Sequence, residues 1–202
     1  MTHHRRRNNG IDPSKINETV ELSPAQRYAA FKQTQAKQRT VAAEFARSMP
    51  FELDEFQMQA NDALEAGDNV LVAAPTGAGK TVAADFAIYL AQTRNVKAFY
   101  TTPIKALSNQ KYHDLVDQYG TDKVGLLTGD TSINSEADIV VMTTEVLRNM
   151  LYEHSVTLEA LRYVILDEVH YLADRFRGPV WEEVIIHLPK NVNIIEIGRA
   201  HV

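Results

Sequence analysis

The segment Ala74-Pro75-Thr76-Gly77-Ala78-Gly79-Lys80-Thr81 carries the residue types needed to hold phosphate, and it directly follows the apolar run Asn69-Val70-Leu71-Val72-Ala73. Gly77 and Gly79 allow the backbone to curl so that successive N–H groups converge on phosphate oxygens. A helix starting near Gly79 would add the positive end of its dipole. Lys80 can reach β- and γ-phosphates as a point charge, and the Thr81 hydroxyl can ligate Mg²⁺. Thr76 and Ala78 are the remaining positions of the cradle. Ala74 stands where the general nucleotide pattern has its first glycine.

A triphosphate cradle needs a metal partner and a way to activate water. Tyr163-Val164-Ile165-Leu166-Asp167-Glu168 offers both. An apolar strand ending in an acid puts Asp167 at the carboxyl edge of a sheet, where open α/β sheets bind ligands. There it can hold Mg²⁺, directly or through water. Glu168, next in the chain, can polarise the attacking water as a general base.

These two segments need a scaffold, and the rest of the sequence predicts one. Short apolar runs at 70–74, 98–102, 124–127, 139–143, 163–166 and 192–195 alternate with helical patterns at 81–92, 104–118, 144–152 and 180–187. Such alternation predicts an α/β fold with a mostly parallel sheet and helices on both faces. Ahead of it, residues 1–22 read as a flexible tail broken by Asn8, Asn9, Gly10 and Pro13. Ser23-Pro24 resembles a helix start, and 23–49 reads as a helical extension lying on the main domain through its aromatic residues.

Composition narrows the function. The chain has 202 residues, 45% of them apolar, and a formal net charge of −5. Nine Lys and Arg face four Asp and Glu in residues 1–48, whereas twelve face twenty-two in 49–202. An acidic main domain does not bind nucleic acid by bulk charge, so such binding must come from local geometry. No apolar stretch approaches the roughly 20 residues of a membrane span, and no secretory signal follows the basic start. The absence of cysteine excludes disulfides and thiolate metal sites, and fits a cytoplasmic protein. The histidines show no zinc-ligand spacing.

Asp167-Glu168-Val169-His170 together with 74–81 resembles motifs II and I of superfamily 2 helicases. Over residues 51–195 the chain is similar to the superkiller-type DEVH-box RNA helicases, whose bacterial members are large ATP-dependent enzymes. The resemblance implies a first RecA-like domain with ATP and Mg²⁺ as cofactors and single-stranded RNA as partner. Phe51 to Gln57 is similar to the adenine-recognition segment, so Phe51 and Gln57 are expected to contact the base. The segment from Thr101 to Lys111 looks like motif Ia, with Thr102, Pro103, Lys105 and Asn109 facing backbone phosphates. Thr128 and Gly129 fall in the motif Ib region, and Thr144 and Glu145 in motif Ic. His170 is expected to couple the ATP and RNA sites. Trp181 reads as a packing anchor between helices rather than a base-stacking platform.

After Ile195 the family continues into a Ser-Ala-Thr motif, whereas this chain reads Glu196-Ile197-Gly198-Arg199-Ala200-His201-Val202. Those seven residues match an in-frame reading of a common sequencing adapter, GAG-ATC-GGA-AGA-GCA-CAC-GTC. Residues 196–202 are therefore expected to be a non-native tail. The second RecA-like domain implied by the resemblance is missing from these residues, so the chain alone is expected to bind ATP·Mg weakly and to unwind nothing. The competing readings are a DNA helicase of the same superfamily, a non-catalytic nucleotide-binding module, and a P-loop ATPase unrelated to nucleic acid.

Overall fold

The computed structural model describes Ser23, Lys32 and residues 39–199. The expected tail over 1–22 and most of the expected helix before Arg39 lie outside these residues. The unit described below begins at Thr40.

Helix α1 (Val41–Ser48) starts where Thr40 accepts the N–H of Ala43 through its hydroxyl at 3.1 Å. The Glu65 carboxylate accepts two more free N–H groups, those of Val41 and Ala42. This helix therefore has its own capped start at Thr40. Its Phe45 is buried against Phe86 and Tyr89. Helix α2 (Glu55–Ala66) ends on Gly67, whose φ of +96° closes the last turn in the left-handed region.

Seven strands form one sheet: β1 (Val70–Ala73), β2 (Lys97–Thr102), β3 (Val124–Thr128), β4 (Thr131–Ile133), β5 (Ile139–Thr143), β6 (Leu161–Asp167) and β7 (Asn193–Gly198). Their order is β1-β7-β6-β2-β5-β3-β4, with every pair parallel except β3–β4. Helices α3 (Thr81–Arg94), α4 (Lys105–Tyr119), α5 (Thr144–Tyr152) and α6 (Gly178–His187) supply the crossovers.

Side chains of a strand alternate between faces, so each inner strand feeds two cores. On one face Ala98, Tyr100, Ile139, Val141, Tyr163 and Ile165 pack with Phe86, Ile88, Leu90 and Leu115 of α3 and α4. On the other, Phe99, Val140, Met142, Val164 and Leu166 pack with Leu147 and Leu151 of α5 and with Trp181 and Val184 of α6. Trp181 is only 1% exposed, which makes it the packing anchor the sequence suggested.

Strand β7 runs on past Ile195. Glu196, Ile197 and Gly198 complete β7, between β1 and β6, with Leu71 and Leu166 flanking Glu196. The run Val192-Asn193-Ile194-Ile195 is extended by one more apolar residue, Ile197, which is buried. Glu196 is the misfit in this strand. Burial pushes its carboxyl above the usual carboxylate range. Because the fold favours the protonated form, the carboxyl costs nothing at low pH and destabilises as pH rises past its ordinary value. Glu196→Gln is expected to melt above the parent at pH 7 and level with it near pH 3. Coincident melting curves at pH 7 would contradict this.

Candidate active site

Parallel strands end on the same edge of a sheet, so the loops after β1, β6, β2, β5 and β3 meet there. The loop after β1 curls as its glycines predict, with φ of +85° at Gly77 and +70° at Gly79. Thr81 opens α3, and Lys80 immediately precedes it. The Lys80 ammonium donates to the carbonyls of Ala74 and Pro75, each at 2.7 Å. An ammonium has three N–H groups, so one is left for a ligand oxygen.

Strand β7 separates β1 from β6, and two strand spacings place their ends roughly 10 Å apart. A cleft of about 380 Å³ spans that gap. Thr76, Gly77, Gly79, Lys80 and Thr81 form one wall; Asp167 and Glu168 face them, with Ile197 and Arg199 between. The two segments singled out by residue type thus share one cavity.

On the acidic side, each Asp167 oxygen accepts one hydrogen bond. The Tyr100 hydroxyl donates to Oδ2 at 2.7 Å, and the Glu168 N–H donates to Oδ1 at 2.8 Å. Tyr100 is fully buried; desolvation first, then the neighbouring Asp167 charge, pushes its phenol well above the usual range. It therefore remains a donor at neutral pH. Glu168 adopts φ of +59°, a left-handed conformation costing a non-glycine residue about 1–2 kcal/mol. That kink turns Glu168 off the line of β6, and its Oε2 lies 3.0 Å from Nδ1 of His170.

Among the described residues no group of three or more His, Cys, Asp or Glu is arranged to hold a metal. A single carboxylate and a hydroxyl, Asp167 and Thr81, suit instead a hard cation that keeps waters and phosphate oxygens as its other ligands, as Mg²⁺ does.

The two residues expected at the adenine differ in exposure. Phe51 is half exposed. Gln57 is 4% exposed, and both ends of its amide are engaged within the chain. Its Oε1 accepts the Asp54 N–H at 2.8 Å, and its Nε2 donates to the Gly79 carbonyl at 3.0 Å. Gln57 therefore caps α2 and braces the phosphate loop. Gly79 leaves room for it, since a Cβ there would fall 2.5 Å from Nε2.

The nucleic-acid candidates gather where β2, β5 and β3 end side by side. Not all of them face outward. Thr102 and Thr144 are buried, and their hydroxyls serve the chain itself: Thr102 bonds the Ile104 carbonyl and Ser108, and Thr144 bonds the Thr102 carbonyl. Pro103 is also buried. Lys105 and Gly129 are exposed, while Asn109 and Glu145 are partly so. Asp130 holds Lys105 in an ion pair at 2.6 Å and also accepts the Thr128 hydroxyl. This pairing lowers the Asp130 carboxyl below its usual range. Sequence reading missed this partner and also missed Tyr100. A buried tyrosine in a strand must satisfy its hydroxyl, but only the β2–β6 register shows that Asp167 does so.

The family profile described as DEAD/DEAH box helicase matches residues 54–197. The chain is 61% identical over 156 residues to the probable helicase HelY of Mycobacterium tuberculosis, which covers 77% of this chain and 17% of that protein. It is 53% identical over 155 residues to the antiviral helicase SKI2 of Saccharomyces cerevisiae, covering 77% of this chain and 12% of that one. The chain thus spans less than a fifth of the length of these relatives. Among solved structures, the Mycobacterium smegmatis helicase Lhr bound to ssDNA and AMP-PNP superposes with a TM-score of 0.61 at 28% identity, over 78% of this chain and 24% of that one. A hypothetical ATP-dependent RNA helicase from Sulfolobus tokodaii shares the fold with a TM-score of 0.58 at 24% identity, over 80% of this chain and 50% of that one. With the phosphate loop and the Asp167–Glu168 pair facing each other across one cleft, the chain belongs to the DEAD/DEAH box helicases.

Proposed function

We propose that these residues form the ATP-binding half of an ATP-dependent RNA helicase moving 3′ to 5′, of the superkiller type. The observation that carries this reading is the single cleft shared by Lys80, Thr81, Asp167 and Glu168. Backbone N–H groups of residues 76–81 and the Lys80 ammonium bind the phosphates. Thr81 and Asp167 hold Mg²⁺, which neutralises charge on the β- and γ-phosphates when bound. Glu168 takes the proton of the attacking water, and its contact with His170 ties that carboxylate to the segment leading to α6. Phe51, half exposed ahead of α2, stacks on the adenine. Gln57 serves the nucleotide chiefly through the loop it braces.

RNA lies across the ends of β2, β5 and β3, held by Lys105, Asn109, the exposed backbone at Gly129 and the amino ends of α4 and α5. The residue order along motifs Ia, Ib and Ic supports this path. A partner domain supplying arginines to the phosphates can add about 10³–10⁵ in rate. These 202 residues hold one RecA-like domain, so alone they bind ATP·Mg weakly, turn it over slowly and separate no strands. No described helix is long and apolar enough to cross a membrane. We place the protein in the cytoplasm.

DNA is the second reading, favoured by the ssDNA in the Lhr structure. Binding of RNA and of ssDNA of equal length and sequence decides between them. Tighter RNA binding that falls on 2′-deoxy substitution supports the RNA reading. Turnover abolished by Glu168→Gln with ATP binding retained excludes a non-catalytic module.

The Lys105–Asp130 pair adds a prediction. A phosphate must compete with Asp130 for the Lys105 ammonium. Asp130→Asn is expected to tighten single-stranded RNA binding roughly 2- to 5-fold at low salt. Its log–log salt dependence should also steepen, because one more cation meets phosphate. Unchanged affinity would remove Lys105 from the RNA path.

A further inference from the structure

Asp167 stands between two cavities. One is the phosphate cleft with Lys80; the other is a cavity of about 150 Å³ lined by Thr102, Leu107, Gln110, Lys111, Asp114 and Asp167. Each cavity therefore offers the same carboxylate a lysine. Lys111 is on α4, with its ammonium 5.0 Å from the centre of the Tyr100 ring. The β6 backbone sets the face on which Asp167 emerges, and its side-chain torsions then choose among staggered positions there.

Tyr100 makes that choice. In the parallel β2–β6 ladder Tyr100 lies opposite Ile165. Alternation puts Tyr100, Ile165 and Asp167 on one face, with Asp167 two residues farther along. A diagonal neighbour of this kind is about 7–8 Å away, within reach of a long aromatic side chain. The phenol spans that distance and ends in the 2.7 Å bond to Oδ2, while the Glu168 N–H fixes Oδ1. The Tyr100 ring itself is fully buried, which holds the phenol in place.

We propose that Tyr100 is a positioning residue that keeps the Asp167 carboxylate turned to the phosphate cleft and away from Lys111, so that a nucleotide-borne divalent cation finds its protein ligand in place. The inference rests on the proposed reading in which Asp167 holds that cation. Hydrogen-bond partners of metal ligands typically change metal affinity by about 10–100-fold when removed.

The test measures Mn²⁺ binding by electron paramagnetic resonance in the presence of ADP, and fluorescent ADP binding with and without divalent metal. Tyr100→Phe keeps the buried ring and removes only the hydroxyl. It is expected to weaken Mn²⁺ binding about 10-fold while leaving metal-free nucleotide binding unchanged, which also shows that the variant is folded. Adding Lys111→Met removes the rival cation and is expected to restore most of the Mn²⁺ affinity. Parental Mn²⁺ affinity in Tyr100→Phe, equal loss of nucleotide binding with and without metal, or no rescue by Lys111→Met would each overturn the proposal. If the parent chain itself shows no metal-dependent nucleotide binding, the functional reading fails, and the positioning role fails with it.

Discussion

Lys80→Ala is expected to weaken ATP·Mg binding on the order of 100-fold. The lysine is the only side chain in the phosphate loop that carries a full positive charge, and charged hydrogen bonds of this kind contribute about 1.5–3 kcal/mol each. A loss of about 3 kcal/mol corresponds to a little more than two decades in Kd. The structure also indicates why the loop itself should survive the change. Its curl is set by Gly77, Gly79 and the brace from Gln57, whereas the Lys80 bonds to the Ala74 and Pro75 carbonyls are made at the rim. Titration with a fluorescent ATP analogue reads the loss, and circular dichroism checks that folding is unchanged. Binding within a few-fold of the parent would mean that phosphate is held elsewhere.

Trp181→Ala carries the largest expected cost in stability. The indole is 1% exposed and packs with Leu147, Leu151, Val164, Leu166 and Val184, joining α5 and α6 to the second face of the sheet. Truncating a buried tryptophan typically costs about 3–5 kcal/mol, a large share of the 5–15 kcal/mol available to a domain. The urea midpoint should fall accordingly, and Trp181→Phe should recover part of it. A small effect from Trp181→Ala would mean that α6 is loosely docked, and that the segment from Glu168 to α6 is not anchored by this core.

How far these residues could be placed from sequence depended on whether their neighbours were near in the chain. The phosphate loop was legible because strand, glycines, lysine and helix follow one another within a dozen residues. The parallel sheet was legible because its strands read as continuous apolar runs, as buried strands must. Strand β4 was not, since Thr131-Ser132-Ile133 is too short and too polar to show a period. Helix α2 was hidden because the Phe51–Gln57 segment was read for adenine contact, while Gln57 serves the helix start and the loop at once. The continuation of β7 through Glu196 was missed because residues 196–202 depart from the family pattern and were set aside as a tail.

The nucleic-acid candidates show a different kind of limit. Residue type picked out the strand ends where β2, β5 and β3 meet, yet it could not tell a hydroxyl facing solvent from one holding two loops together. Thr102 and Thr144 belong to the second kind. Charge partners distant in sequence, such as Asp130 for Lys105, are invisible until the turn after β3 brings them together. The Tyr100–Asp167 bond spans 67 residues and depends on strand register, which no local pattern encodes.

In the proposed function, phosphate and metal are clasped between the loop after β1 and the tip of β6. A crystal structure of this chain with a non-hydrolysable ATP analogue and Mg²⁺ tests that most directly. The expected density has the β- and γ-phosphates against the backbone of residues 77–81 and the Lys80 ammonium, with the metal between Thr81 and Asp167. Phosphates bound away from that cleft, or a metal with neither Thr81 nor Asp167 beside it, would contradict it.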